Sequence, residues 1–234
     1  METGTSNGAT RDYDAVIVGG SLAGSTTAIF LGRAGLRVAV VERQPDPNAF
    51  KRMCSHFIQA SGVPTLDRLG LLEPIEAAGG VRPRIQAWTE WGWMKPPREE
   101  ASRCVNLRRE VLDPLVREHA AATAGVDFHL GQTVTGLLSD GEVVSGVTMR
   151  DRDGAETTLR GKLVVGADGR DSHVAEWAGV KEKVIPHGRF AYGGYFEGAA
   201  PEYAPDGAIW FMDPHWGAAF PTDSDLVFYA AMPT

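Results

Sequence analysis

The stretch YDAVIVGGSLAGSTTAIFLGRAGLRVAVVER, residues 13–43, decides the fold. DAVIVGG is a short unbroken apolar run, the pattern of a strand buried on both faces of a parallel sheet. SLAGSTTAIFLGRAGL carries Ala, Ile and Leu at helical spacing and stops at Gly35. RVAVVER repeats the buried-strand pattern, so the three segments form one βαβ unit. Where the first strand feeds the helix, Gly19, Ser21 and Gly24 spell G-x-S-x-x-G. A helix entered in this way points its unpaired amides past the strand end, and glycine lets a diphosphate come within hydrogen-bond range of them. Gly19 makes the tight turn, and Gly24 lets the helix lie close to the strand. Ser21, at the middle position, narrows the approach while adding a hydroxyl. Glu42 closes the second strand 23 residues after Gly19. A carboxylate there accepts from both hydroxyls of an adenosine ribose and repels a 2′-phosphate. A glycine turn with an incidental acid is the bland alternative; the flanking strands, helix and acid together favour a bound ADP moiety.

Bulk properties narrow the class. The chain has 234 residues, 43% of them hydrophobic and 23% charged, as in ordinary globular proteins. Its formal charge of −7, with basic residues only in pairs such as Arg82/Arg84 and Arg108/Arg109, speaks against a nucleic-acid partner. Two cysteines, Cys54 and Cys104, build no disulfide framework, and six histidines (56, 119, 129, 173, 187 and 215) show no metal-ligand spacing. No metal is expected. His56 and His215 are candidate acid–base groups, although a lone histidine is more often structural. No apolar run reaches the roughly 18 residues of a membrane span. A soluble, cytoplasmic, reduced protein is expected, with residues 1–12 a disordered leader.

Beyond Glu42, a Pro-rich loop leads to short helices in GVPTLDRLGLLEPIEAAGG, then to RIQAWTEWGWM, which alternates well enough for a strand. NLRREVLDPLVREHAAATAG is a second strong helix. The segment from Val126 to Gly169 reads as strands joined by Asp-Gly turns and ends in KLVVGADG, another buried strand. RFAYGGYFEG, GAIWFMD, GAAFPT and LVFYAAMP are four strands of a separate sheet. The fold class is α/β: a Rossmann-like βαβ core with a β-meander, plus part of a mixed or antiparallel second sheet.

Three stretches carry a family resemblance: residues 16–43, NLRREVLDPLVREHA and KLVVGADGRDSHVAEWAGV. Together they resemble the N-terminal part of the FAD-dependent monooxygenases of the para-hydroxybenzoate hydroxylase type. Geranylgeranyl reductases and flavin halogenases share these elements. The resemblance implies an FAD-binding domain over residues 13–180, with an inserted segment at about 80–105, and a partial substrate-binding sheet over 181–234. It implies that Gly19, Ser21 and Gly24 meet the pyrophosphate and Glu42, with Arg43 beside it, the adenosine end. The arginine opening the second helix would reach the flavin side; helical phase favours Arg109, with Arg108 the alternative. Val134 would sit against the adenine, Arg52 near a phosphate, and Asp168 and Gly169 would be the DG pair beside the flavin. No catalytic residue is assigned. The implied chemistry belongs to the cofactor: NAD(P)H reduces FAD, and the flavin then uses O2 to oxygenate a hydrophobic small molecule.

WGWMKPP (residues 91–97) fits the outline of the halogenase W-x-W-x-x-P signature but lies upstream of the DG pair. In the corresponding place, HWGAAFP, Ala218 replaces the second Trp. Trp91 and Trp93 therefore read as aromatics lining a substrate cavity or filling core. The family's third FAD motif has no counterpart after Ala199. The expectation is a fragment, a split protein or a module needing a complementary C-terminal portion, in the same chain or a separate one. Alone, residues 1–234 are expected to bind FAD weakly or not at all and to turn over little.

Overall fold

A computed structural model describes residues 11–186 and 188–234. The expected leader lies outside them up to residue 10, and so does His187. The chain begins with strand β1 (Arg11–Val18), helix α1 (Leu22–Arg33) and strand β2 (Val38–Glu42). β1 thus starts two residues inside the stretch expected as leader, because Arg11 and Asp12 pair in register with Leu159 and Arg160. Next come β3 (Phe57–Ile58), α2 (Val63–Arg68), α3 (Leu72–Ala77), β4 (Ile85–Thr89), β5 (Gly92–Met94) and β6 (Val105–Asn106). Helix α4 (Arg109–Ala121) and strands β7 (Val126–Leu130), β8 (Thr133–Asp140), β9 (Val143–Arg150) and β10 (Glu156–Gly166) follow. The last elements are α5 (His173–Trp177), β11 (Tyr192–Phe196), β12 (Gly207–Met212), β13 (His215–Pro221) and β14 (Val227–Met232).

The chain divides into two units, Met1–Phe50 with Val116–Lys183 and Lys51–Leu115 with Val184–Thr234. The first holds a six-stranded sheet in the order β7-β2-β1-β10-β9-β8. β7, β2, β1 and β10 are mutually parallel, and β8, β9 and β10 form an antiparallel meander. Strand alternation explains why β1 and β2 are apolar throughout. Val16, Val18, Ala39 and Val41 join Tyr13, Val147, Met149 and Leu159 in one core. Ile17, Val38 and Val40 point the other way and pack with Ala28 and Leu31 of α1 and with Val126. Each such fully buried Val or Ile contributes roughly 1.5–3 kcal/mol relative to an exposed one. Helix α1 ends where expected, at Gly35 with φ +83°, a left-handed value that glycine adopts freely.

The second unit holds a sheet ordered β11-β14-β13-β12-β4-β5. The four C-terminal strands form as read, and β4 adds parallel to β12 while β5 hairpins back on β4. Here the sequence reading is corrected once: RIQAWTEWGWM, read as one strand, is a hairpin with a turn at Glu90 and Trp91. The segment read as an insertion at about 80–105 falls within Lys51–Leu115, which groups with Val184–Thr234. The physical reason is edge pairing: β4 completes its backbone hydrogen bonds on the free edge of β12, a partner more than a hundred residues away. One sheet face is cored by Ala218, Phe220 and Phe228 with Phe57, Ile85, Ile209 and Trp216. Trp93 packs against Tyr203 and Trp210, whereas Trp91, 87% exposed, sits on the turn and does not fill core. No helix among the described residues is long and apolar enough to cross a membrane.

Candidate functional site

Three parallel strands of the first unit end together. Val18 is in register with Val41 of β2 and with Gly166 of β10. From β1 the chain steps outward to β2 and β7, then crosses to the far edge and returns through β8 and β9 to β10 on the other side of β1; the β1/β10 boundary is where the strand order reverses, the place where open α/β sheets form crevices. The Gly19 amide donates to Val41 O at 2.8 Å, and the Ala167 amide donates to Val18 O at 2.8 Å. The glycine turn and the DG turn are thereby brought side by side. At Gly19 φ is +105°, and a Cβ would lie 2.4 Å from the Ala167 carbonyl oxygen. At Gly24 a Cβ would lie 1.8 Å from Gly19 O. Both positions demand glycine on steric grounds, and both leave bare backbone at the mouth of α1.

That mouth suits an anion. Ser21 occupies the N-cap position without a side-chain cap, and the first turn of α1 holds no acid. The positive end of the helix dipole and its leading amides are not neutralised from within the helix. Ser25 Oγ donates to Gly20 O at 2.9 Å and stiffens the turn.

Glu42 lies at the end of β2, and its carboxylate spans the loop. Oε2 accepts from the Gly20 amide at 2.7 Å, and Oε1 accepts from the Gln44 amide at 2.9 Å. Each carboxylate oxygen keeps further acceptor capacity, so Glu42 can fix the loop and still receive hydroxyl donors. Arg43 beside it is exposed. Asp168 follows β10 and organises the DG turn: Oδ1 accepts from Ser172 Oγ at 2.6 Å and Oδ2 from the Val174 amide at 3.2 Å. Burial opposes its charge, but the hydrogen bonds from Ser172 and Val174 outweigh this and hold the carboxyl below its usual range. Gly169 has φ +101°. Val134, on β8, is half-buried and packs against the core that contains Val18 and Val41.

The remaining arginines of interest, Arg52, Arg108 and Arg109, belong to the second unit. Arg52 is exposed. Arg108 donates through Nε to Asp223 at 2.8 Å and pairs with Glu110 at 2.5 Å. Arg109 is 6% exposed, and its guanidinium grips Asp113 at 2.5 and 2.9 Å. Both helix-opening arginines are thus tied into their own unit by carboxylates.

Arg117 escaped the sequence reading. Buried on α4, it donates to Gly20 O at 3.3 Å and Ala49 O at 2.9 Å, and also to Pro47 O. One planar guanidinium therefore bolts the glycine turn to the loop after β2. A signal existed: Arg109, Asp113 and Arg117 recur every four residues, which places three charges on one helix face, and all three are buried.

The bare turn, the uncapped helix and the carboxylate at the end of β2 fit the ADP half of FAD. Residues 12–191 match the family described as "FAD binding domain". Kynurenine 3-monooxygenase of Salinispora arenicola is 33% identical over 169 residues, which cover 69% of this chain and 37% of that enzyme. Digeranylgeranylglycerophospholipid reductase 1 of Methanococcoides burtonii is 31% identical over 185 residues, covering 74% and 42%. The crystal structure of PqsL from Pseudomonas aeruginosa shares the fold, with a TM-score of 0.79 at 21% identity over 95% of this chain and 60% of that one. The chain spans about two-fifths of the length of these curated relatives. With most of its length matched and a glycine turn, strand-end acid and DG turn gathered at one sheet edge, the chain belongs to the FAD-binding domain family.

Proposed function

We propose that this chain is the FAD-binding part of a flavin-dependent monooxygenase that uses NAD(P)H and O2 to oxygenate a hydrophobic small molecule, completed by a further C-terminal portion. The observation that carries the reading is the steric demand for glycine at positions 19 and 24, beside the DG turn. In this reading the amides at the mouth of α1, with Gly19, Ser21 and Gly24, hold the diphosphate. Glu42 accepts from the ribose hydroxyls, Arg43 and Val134 flank the adenosine, and Asp168 with Gly169 shapes the backbone beside the flavin. By the resemblance, Arg109 or else Arg108 would contact the flavin side of FAD, and Arg52 would reach a phosphate. When bound, FAD supplies hydride acceptance and oxygen activation; the chain's residues bind, orient and exclude water. The cytoplasm fits the two free thiols.

The likeness to a prenyl-lipid reductase supports a second reading, saturation of a hydrophobic chain without oxygen. The two separate in an assay of the whole protein with NAD(P)H and a panel of hydrophobic aromatics, run with and without air. A monooxygenase takes up O2 in step with product. Product formed anaerobically favours the reductase, and a whole protein that retains no FAD refutes both.

A further inference from the structure

β11 is the outermost strand of the second unit's sheet, with β14 its one strand neighbour among the described residues. An edge strand presents unpaired amides and carbonyls, and proteins blunt it with charge, proline, bulges or brevity. Other edges of this chain carry such devices. At the far side of the same sheet, β5 has three residues and runs into Lys95, Pro96 and Pro97. β8, an edge of the first sheet, is broken by two register shifts. β11 has none of these: YGGYF pairs with β14 in unbroken register and holds no charge and no proline.

One bond fixes the direction of its free groups. The Phe190 amide donates to Pro233 O, in the register that continues β11 against β14. Antiparallel strands turn the backbone groups of successive residues alternately toward and away from a partner. Phe190, Tyr192, Gly194 and Phe196 therefore face β14, and Ala191, Gly193 and Tyr195 turn their amides and carbonyls outward. Side chains alternate between faces with the same period. Phe190, Tyr192 and Phe196 share one face and are 50%, 68% and 53% exposed. Tyr195 lies on the other face, where its hydroxyl meets His56 Nε2 and its ring meets Phe228, so its backbone alone serves the edge. Position 193 demands glycine, since a Cβ there would lie 2.2 Å from Phe228 Cζ.

We propose that a second copy of this chain docks on β11, strand antiparallel to strand about a two-fold axis at Gly193, so that the two sheets become one. Charge selects the register in RFAYGGYFE, residues 189–197. Centred on Gly193, the pairing sets Arg189 opposite Glu197 of the second copy, and the two-fold repeats this ion pair at the other end of the seam. It also sets Phe190 opposite Phe196 of the second copy, and Tyr192 over Gly194, whose missing side chain leaves room for the ring. The outward groups of Gly193 bond to their own counterpart, and those of Ala191 bond to Tyr195 of the second copy. A centre on Tyr192 or Gly194 would oppose groups already bonded to β14. A centre on Ala191 or Tyr195 would part the arginine from the glutamate.

The test is sedimentation velocity of the 234-residue chain across concentration, with backbone hydrogen exchange as a second readout. A monomer–dimer equilibrium is expected, in which the amides of Ala191, Gly193 and Tyr195 gain protection as the dimer forms. Ala191→Pro removes an outward donor without touching a bond to β14, and should weaken the dimer by about tenfold or more. Arg189→Glu or Glu197→Arg alone puts like charges opposite each other at both ends of the seam, and should also weaken it by about tenfold. The two reversals combined should return the dimer to within about threefold of the wild type. Both charge positions lie outside the strand, so this series decides the matter even where the proline variant fails to fold. A chain monomeric up to about 1 mM, a folded Ala191→Pro variant that dimerises like the wild type, or single reversals that the double does not rescue would each overturn the proposal. So would a monomer with those three amides protected, which would place another segment of the chain on the edge.

Discussion

At the residue scale, the site depends on groups that tolerate no enlargement and on one cation that is shared three ways. Gly24→Ala places a methyl carbon 1.8 Å from Gly19 O unless α1 shifts. We expect a stability loss of about 3 kcal/mol, near the upper end for overpacking, and at least about tenfold weaker FAD binding as the amides move out of alignment. Urea unfolding and calorimetric titration measure the two. Arg117→Met leaves the carbonyls of Gly20, Pro47 and Ala49 without their donor, and we expect a cost of about 3 kcal/mol in urea unfolding. Arg117→Lys should recover less than half, because one ammonium cannot span three acceptors as a planar fork does. The glycines were legible in the sequence because their spacing reports a local turn. Arg117 was not, because its carbonyl partners lie about seventy and ninety-seven residues away. Only the periodicity of buried charge on α4 hinted at it. Nor could composition separate Arg108 from Arg109; the structure gives each its own carboxylate, Asp223 and Asp113.

At the element scale, short helices depend on their caps. α5 is only five residues long, and its start is held by Ser172 Oγ accepting from the Ala175 amide at 3.1 Å while donating to Asp168. Asp168 thus acts as the outer part of a two-residue cap, a role that its place in the DG pair did not announce. Its carboxyl titrates below the usual value in the folded chain. The sign follows: the ionised group adds stability that is fully present above the unfolded value, about 3.9, and is lost as pH falls through the lower folded value. Asp168→Asn should therefore be less stable than the wild type by a constant margin above about pH 5. That margin should close as pH drops below about 4; urea midpoints across the acid range would show it. The hairpin β4–β5 teaches the complementary lesson. Alternation identified strand character in residues 85–94, but its turn and its pairing with β12 depend on which sheet edge is free.

At the scale of the whole molecule, ligand linkage gives the broadest check. FAD that binds only the folded chain should raise the melting temperature with concentration, by the equivalent of about 2.7 kcal/mol at one hundred times Kd. ADP-ribose should do the same, and its 2′-phosphorylated form should do less, because Glu42 repels that charge. For the whole protein, completed by its C-terminal portion, a melting temperature indifferent to FAD would remove the cofactor reading at its root; residues 1–234 alone are expected to shift little. By itself the sequence determined the βαβ unit, its glycine turn, the acid at the end of β2 and the four C-terminal strands. These are written in local periodicity and in spacings shorter than one supersecondary unit, where sterics and burial act on neighbours in the chain. Tertiary structure alone decided that β4 joins β12, that Arg117 bolts the glycine turn and that His56 meets Tyr195. Those contacts join residues tens to over a hundred positions apart, and they form only where free strand edges and unsatisfied donors find partners once the layers have packed.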